Sequence, residues 1–134
     1  MSTVYLLYTD GGARGNPGPA AIGGVVRDPT GAVVDSFSEY IGHATNNQAE
    51  YQALITGLKR ARARRIQLLR CCLDSELLVN QLNGVYKIKE PTLAELAEEV
   101  FELLSDFRKV TIVHIPRALN READRLVNEA LDRA

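Results

Sequence analysis

Hydrophobic and polar positions alternate between two periods along the chain. Val4 to Thr9 is a short β-branched and aromatic run that ends at Asp10, which predicts a first strand. The glycines between Gly11 and Gly24, with Pro17 and Pro19 among them, predict a loop leading into a glycine-tolerant second strand over residues 21–27. Asp28-Pro29-Thr30-Gly31 reads as a turn, and residues 32–41 as a third strand, so the first three strands form an antiparallel meander. The period then changes to that of a helix. Thr45-Asn46-Asn47 is a helix start, and Leu54, Gly57, Leu58 and Ala61 give the helix a narrow buried face. Its end is basic, with Lys59, Arg60, Arg62, Arg64 and Arg65 favourably placed against the helix dipole.

A fourth strand is predicted over residues 66–73, ending at Asp74, and a short helix from Ser75 to Leu82 is stopped by Asn83-Gly84. Pro91-Thr92 opens another helix, with Thr92 and Glu95 as a capping box and Leu93, Leu96, Ala97, Val100, Leu103, Leu104 and Phe107 facing inward. Residues 110–115 form a fifth strand closed by Pro116. Asn120 caps a last helix that turns Ala123, Leu126, Val127, Ala130 and Leu131 inward. The order βββαβααβα, with right-handed crossovers, predicts a five-stranded mixed sheet flanked by helices: strands 1–3 antiparallel, strands 1, 4 and 5 parallel. Ligands in such sheets bind at the carboxyl ends of the strands, near the point where the strand order reverses.

Composition adds bounds. The 134 residues are expected to form one domain, 1–134, long enough to bury a core without metal or disulfide support. With a net charge of -1 the chain is no polycation, so a nucleic-acid partner would be held by a local patch. The N-terminal residues MSTVYLLYTD lack the pattern of a signal peptide, and no apolar run reaches membrane-spanning length. Cys71 and Cys72 are adjacent in a strand, point to opposite faces and lack metal or redox spacing. They are expected to be reduced core residues of a cytoplasmic, monomeric protein.

The chemistry is carried by acids. Asp10 and Asp74 end neighbouring parallel strands. Glu50 lies one turn before Leu54 on the buried face of its helix, and Asp124 lies in the first turn of the last helix. Each has an ordinary alternative: Asp10 as a turn residue, Glu50 in a capping box with Asn47, Asp74 as a helix cap, Asp124 as a partner of a helix dipole. Independent caps have no reason to cluster, however, and a cluster of carboxylates needs cations to relieve its repulsion. Oxygen ligands without His or Cys suit Mg²⁺ or Mn²⁺.

These residues fall in recognisable strings. Tyr8-Thr9-Asp10-Gly11-Gly12 with Gly15-Asn16-Pro17-Gly18-Pro19, then Thr45-Asn46-Asn47-Gln48-Ala49-Glu50, then Leu73-Asp74-Ser75, then Asn120-Arg121-Glu122-Ala123-Asp124 resemble, in order and over nearly the whole chain, the four motifs of type 1 ribonuclease H. The resemblance implies a ribonuclease H-like α/β fold and endonucleolytic cleavage of the RNA strand of RNA–DNA hybrids by two divalent ions, with 5′-phosphate and 3′-hydroxyl products. It implies that Asp10 bridges both ions, that Glu50 and Asp74 complete one side, and that Asp124 completes the other. It also implies substrate contacts from Gly11 and Gly12 through backbone, from Asn16, Asn46 and Ser75 to 2′-hydroxyls, and from Thr45 and Asn47 to a DNA-strand phosphate.

Two departures from the family stand out. Some members carry an extra basic helix and loop for which residues 75–109 leave no room. Lys87 and Lys89 in Tyr86-Lys87-Ile88-Lys89 are a reduced substitute or simply solvated loop residues. Many members carry a His before the last acid that aids product release. Here Arg117 on the short loop 116–119, or His114 in the fifth strand, is the candidate, and His43 is an exposed loop residue. Rival classes fit less well. A hybrid-binding scaffold has no need of all four acids, a proofreading exonuclease wants Asp-x-Glu in the first strand, and an actin-like ATPase needs two such domains. An integrase core lacks the Gly15–Pro19 and Thr45–Asn47 strings.

Overall fold

A computed structural model of the chain describes residues 3–134. Met1 and Ser2, the first residues of the expected domain and of the N-terminal run discussed above, lie outside the described residues. Five strands, β1 (Tyr5–Ala13), β2 (Gly18–Arg27), β3 (Val33–Ala44), β4 (Leu68–Leu73) and β5 (Lys109–His114), form one sheet in the order β3-β2-β1-β4-β5. β1 pairs antiparallel with β2, and β2 with β3; β1 pairs parallel with β4, and β4 with β5. This is the mixed sheet expected from the element order.

The helices α1 (Asn46–Ala63), α2 (Glu76–Leu82), α3 (Pro91–Leu104) and α4 (Arg121–Arg133) flank the sheet, and a 3-10 turn (Arg117–Leu119) precedes α4. The main core lies between one sheet face and the helices α1 and α3. Leu7, Tyr51, Leu54, Leu58, Leu73 and Val100 are its fully buried centre. α4 covers the other face over Ala21, with Val127, Ala130 and Leu131 inward. Both cysteines are buried and free, and burial pushes their thiols up, most strongly for Cys71. Among the described residues no helix is long and apolar enough to cross a membrane.

Three expectations are corrected. First, the glycine-rich segment is largely strand. β1 continues past Asp10 to Ala13, and β2 begins at Gly18, with Gly11↔Ile22 and Gly12↔Ala21 in register. The pairing of β1 with β4 stops at Thr9↔Leu73, so Asp10 sits where the strand keeps one neighbour and loses the other. Second, α3 is capped by Glu90, whose carboxylate accepts from the N–H groups of Thr92 and Leu93, both at 3.0 Å. The proposed Thr92–Glu95 box is displaced because Pro91 already occupies the first turn, where its missing N–H costs nothing. Third, Asn120 is at the cap position of α4 but its side chain makes no capping bond. The boundaries of β3, β4 and β5 differ from the expectation by one to three residues.

The strand glycines have a packing reason. A Cβ on Gly11 would stand 2.2 Å from the carbonyl oxygen of Ala49 in α1, and one on Gly23 would stand 2.7 Å from that of Ala123 in α4. Helix backbone therefore lies directly on these positions, which only glycine permits. A Cβ on Gly12 meets nothing closer than 3.9 Å. Gly11→Ala and Gly23→Ala are expected to lower unfolding free energy by about 2–3 kcal/mol each. Gly12→Ala should cost less than about 1 kcal/mol. Urea denaturation of the three variants checks the ordering.

Candidate active site

The register of the parallel pair decides where the first two acids meet. With Thr9 opposite Leu73, the next residues, Asp10 and Asp74, emerge side by side at the carboxyl edge of β1 and β4. α1 then brings Glu50. Thr45 caps this helix through a reciprocal box with Gln48: Gln48 N–H donates to the Thr45 hydroxyl at 3.1 Å, and Thr45 N–H donates to Gln48 Oε1 at 2.9 Å. Glu50 is thus free of capping duty, and the alternative box with Asn47 does not form. The close contact at Gly11 lets Glu50 Oε1 accept the Gly11 N–H at 2.7 Å. From the opposite face, α4 lies on Gly23, the register partner of Asp10, and delivers Asp124 to the side of Asp10.

One ligand oxygen from each of Asp10, Glu50 and Asp74 fits within 4.8 Å of the others. Asp124 stands outside this trio but lines the same cleft, and its carboxylate acts on Asp10. Burial, then the charge of Asp74, raises Asp10 to about 7. Burial, then Asp10, drives Glu50 well above the usual carboxylate range. The chain thus holds acids together that repel one another in a desolvated place.

An open cleft over the cluster is lined by Asp10, Gly11, Gly12, Asn46, Asn47, Glu50, Asp74, Arg117 and Asp124. Ala13, Arg14, Val127, Asn128 and Leu131 complete it. Asn16 Oδ1 accepts the Asn46 N–H at 3.0 Å and Asn46 Oδ1 accepts the Ala13 N–H at 2.8 Å, which docks the β1–β2 loop on the start of α1. Ser75 caps α2 by accepting the Leu78 N–H at 3.2 Å.

Other candidates lie outside the cleft. His114 ends β5, its Nε2 3.3 Å from the carbonyl oxygen of Asp74. Lys87 and Lys89 are exposed on the loop between α2 and α3; His43 is exposed as expected but lies in β3, not on a loop, because β3 runs on to pair His43 with Pro19. The sequence did not single out Arg14 or Asn128, on the rim of the cleft, or the side chain of Asn120. Asn128 follows Asp124 by one helical turn, a spacing that could have exposed it. Arg14 is ion-paired with Asp132 at 2.6 Å, a contact with no local sequence signal.

Comparison with known proteins bears on this arrangement. Residues 8–130 match the family described as reverse transcriptase-like. The chain is 45% identical, over 95% of its length, to ribonuclease HI of Halobacterium salinarum, of which it spans 64%. It is 43% identical, over 96% of its length, to a bifunctional protein of Mycobacterium tuberculosis, of which it spans 36%. The crystal structure of the Halobacterium RNase H1 superposes with a TM-score of 0.96 at 44% identity, covering 98% of this chain and 99% of that one. LC11-RNase H1, solved in complex with an RNA/DNA hybrid, superposes with a TM-score of 0.91 at 45% identity, covering 96% and 97%. With the strand order, the four motifs and these matches in agreement, the chain belongs to the type 1 ribonuclease H family, in a compact form whose α2 and α3 are joined by a short loop in place of a basic helix.

Proposed function

We propose that this domain is a ribonuclease H that cleaves the RNA strand of RNA–DNA hybrids endonucleolytically, leaving 5′-phosphate and 3′-hydroxyl ends. The observation that carries the reading is the convergence of Asp10, Glu50 and Asp74, with Asp124 against Asp10, under an open cleft. The relative LC11-RNase H1, solved with a hybrid bound, lends support.

The donor set fits hard divalent cations. All ligand atoms are carboxylate oxygens, and the acids that need relief from repulsion are those with oxygens within 4.8 Å of one another. Asp10, Glu50, Asp74 and Asp124 would hold two Mg²⁺ or Mn²⁺ ions. Bound there, the ions supply Lewis-acid stabilisation of the phosphodiester and lower the pKa of the attacking water.

The protein's own part is recognition and positioning. Gly11 and Gly12 offer backbone without side chains, so the RNA strand can approach β1 closely. Asn16, Asn46, Thr45 and Ser75 already hold local structure, but only with oxygen lone pairs. Their N–H and O–H donors remain available, so capping and substrate contact coexist in the same side chains. Asn16, Asn46 and Ser75 would donate to 2′-hydroxyls, and Thr45 and Asn47 to a DNA-strand phosphate at the start of α1. Arg117, a cation on the cleft wall, is the better placed of the two candidates for phosphate contact and product release. His114 contacts the Asp74 backbone oxygen and does not line the cleft. Lys87 and Lys89 would meet the hybrid outside the cleft.

The cluster also sets a pH dependence. In the folded protein Asp10 keeps its proton up to about 7, whereas in the unfolded chain it releases it at the ordinary carboxylate pKa. The folded state therefore binds more protons in between, and stability falls as pH rises through that window. Without divalent ions the melting temperature is expected to drop between pH 5 and pH 8, by the equivalent of about 2–4 kcal/mol. Asp10→Asn should flatten the drop, and Mg²⁺ should restore the loss at pH 8 more than at pH 5. Thermal melts in chelator and in Mg²⁺ read this directly.

A labelled RNA–DNA hybrid, beside DNA–DNA and RNA–RNA duplexes, tests the activity. Only the hybrid should be cut, only with Mg²⁺ or Mn²⁺, and Asp74→Asn should lower the rate by about 100-fold or more. Absence of metal-dependent hybrid cleavage by the unaltered protein would reject the reading. The double variant Lys87→Ala/Lys89→Ala should raise KM with little change in kcat and flatten the salt dependence of KM, by roughly one unit of log–log slope per lost phosphate contact. A KM and slope equal to the parent's would remove these lysines from the hybrid interface.

A further inference from the structure

Asn120 breaks the local rule for its position. It stands at the cap of α4, where an Asn side chain ordinarily accepts an N–H from the first turn, yet it makes no capping bond. Its side chain instead turns inward and is buried, with 2% of its surface exposed. Nδ2 donates to the carbonyl oxygen of Thr9 at 2.9 Å and to Oδ2 of Asp74 at 2.8 Å. Oδ1 is buried with no hydrogen-bond partner among the described residues. Both Nδ2 contacts are to oxygens that only accept, so the orientation of the amide is fixed by chemistry: flipped, it would set Oδ1 against a carbonyl and a carboxylate.

From this geometry we infer that Asn120 is a positioning residue that orients the Asp74 carboxylate for a divalent ion. The inference rests on the reading of the acidic cluster as a metal site. One hydrogen bond engages Oδ2 of Asp74 and leaves Oδ1 without a hydrogen-bond partner among the described residues. That bond restricts the rotation of the carboxylate, one oxygen of which lies within 4.8 Å of ligand oxygens of Asp10 and Glu50. An amide is suited to the task because it donates without carrying charge. A Lys or Arg at this place would also fix Asp74 but would neutralise the charge that attracts the cation.

The same residue also registers Asp10 and Asp124. Its bond to Thr9 fixes it against the residue before Asp10, and its backbone oxygen accepts the N–H of Asp124 at 3.1 Å. Asn120 therefore touches Asp74 directly, β1 next to Asp10, and the turn that carries Asp124. A side chain engaged as an ordinary cap would serve α4 alone. The uncapped start of α4 is compensated by Glu122 and Asp124 in its first turn, whose charges suit the helix dipole.

The test uses the full chain with Mn²⁺ alone as the probe in calorimetric titration, together with hybrid cleavage. Asn120→Ala removes the donor and creates space; Asn120→Leu nearly keeps the volume and removes the donor without adding charge. In each variant that remains folded by circular dichroism, Mn²⁺ affinity should fall by about 10–100-fold. At saturating metal-free hybrid binding there should be no change, and in cleavage kcat should fall while KM stays nearly constant. Unchanged Mn²⁺ affinity and kcat in a variant whose only change is a lower melting temperature would overturn the inference and leave Asn120 an ordinary structural residue. If the unaltered chain binds no Mn²⁺, the metal reading falls and this inference with it; if it binds and the variants bind equally, this inference falls alone. Nuclear magnetic resonance of the unaltered protein gives a reading independent of variant folding. The Asn120 side-chain amide should exchange slowly with solvent and shift on addition of Mg²⁺, and a rapidly exchanging amide indifferent to Mg²⁺ would count against it.

Discussion

The acidic site depends on two places where helix backbone rests on bare strand. At Gly11, α1 comes so close that a single added carbon would stand 2.2 Å from the Ala49 carbonyl oxygen. At Gly23, α4 leaves 2.7 Å to the Ala123 carbonyl oxygen. The two glycines flank Asp10, one as its chain neighbour and the other as its partner across the β1–β2 ladder. They lie on opposite faces of the sheet, so the two helices close on Asp10 from both sides and carry Glu50 and Asp124 with them. The parallel pairing of β1 with β4 supplies Asp74 in the plane of the sheet. Three directions of approach to one carboxylate are thus set by backbone packing, which is less deformable than side-chain contact.

That rigidity has an electrostatic consequence. A flexible cluster of acids would relax by moving apart into solvent; these acids are held in place, and burial first, then the charge of the neighbouring acids, raises Asp10 and Glu50. The apolar core between the sheet and α1 and α3 makes this tolerable, because its burial holds α1 against the sheet whatever the protonation of Glu50. The arrangement is one in which folding free energy is given up locally to keep a cluster of carboxylates preformed, a recurrent trade at functional sites.

The pattern of the chain carried the fold well and the local chemistry unevenly. Strand and helix order followed from periodicity, and the parallel placement of Asp10 beside Asp74 followed from crossover handedness, because both are consequences of burial and chirality that a single sequence expresses. Gly11, Gly12 and Gly18 read as loop in the sequence because glycine marks two opposed situations: a turn needing unusual dihedrals and a strand needing an empty face. Only Gly15 in that stretch has positive φ. What distinguishes Gly11 and Gly23 is a helix arriving from far along the chain, and local sequence does not contain it. The Thr92–Glu95 box failed for a similar reason of competition, since Glu90 reaches two N–H groups from one residue before Pro91.

Asn120 shows the same limit in sharper form. As a string, Asn followed by a helical pattern is a cap, and the position is indeed the cap position. What overrides the local preference is a pair of oxygens, on Thr9 and Asp74, brought from sequence separations of 111 and 46 residues. A short polar side chain at a helix start can serve its own backbone or a distant partner, and the outcome turns on which acceptors are buried beside it. Here the helix end has two acidic side chains to soften its dipole, whereas the Asp74 carboxylate has no other hydrogen-bond donor among the described residues. The donor goes where its absence would leave a partly buried anion unheld. The same logic runs through Asn16, Asn46 and Ser75, which give their oxygens to the fold and keep their donors facing out. A polar residue at this edge of the sheet has a structural half and a free half, and the half left free is what the site can use.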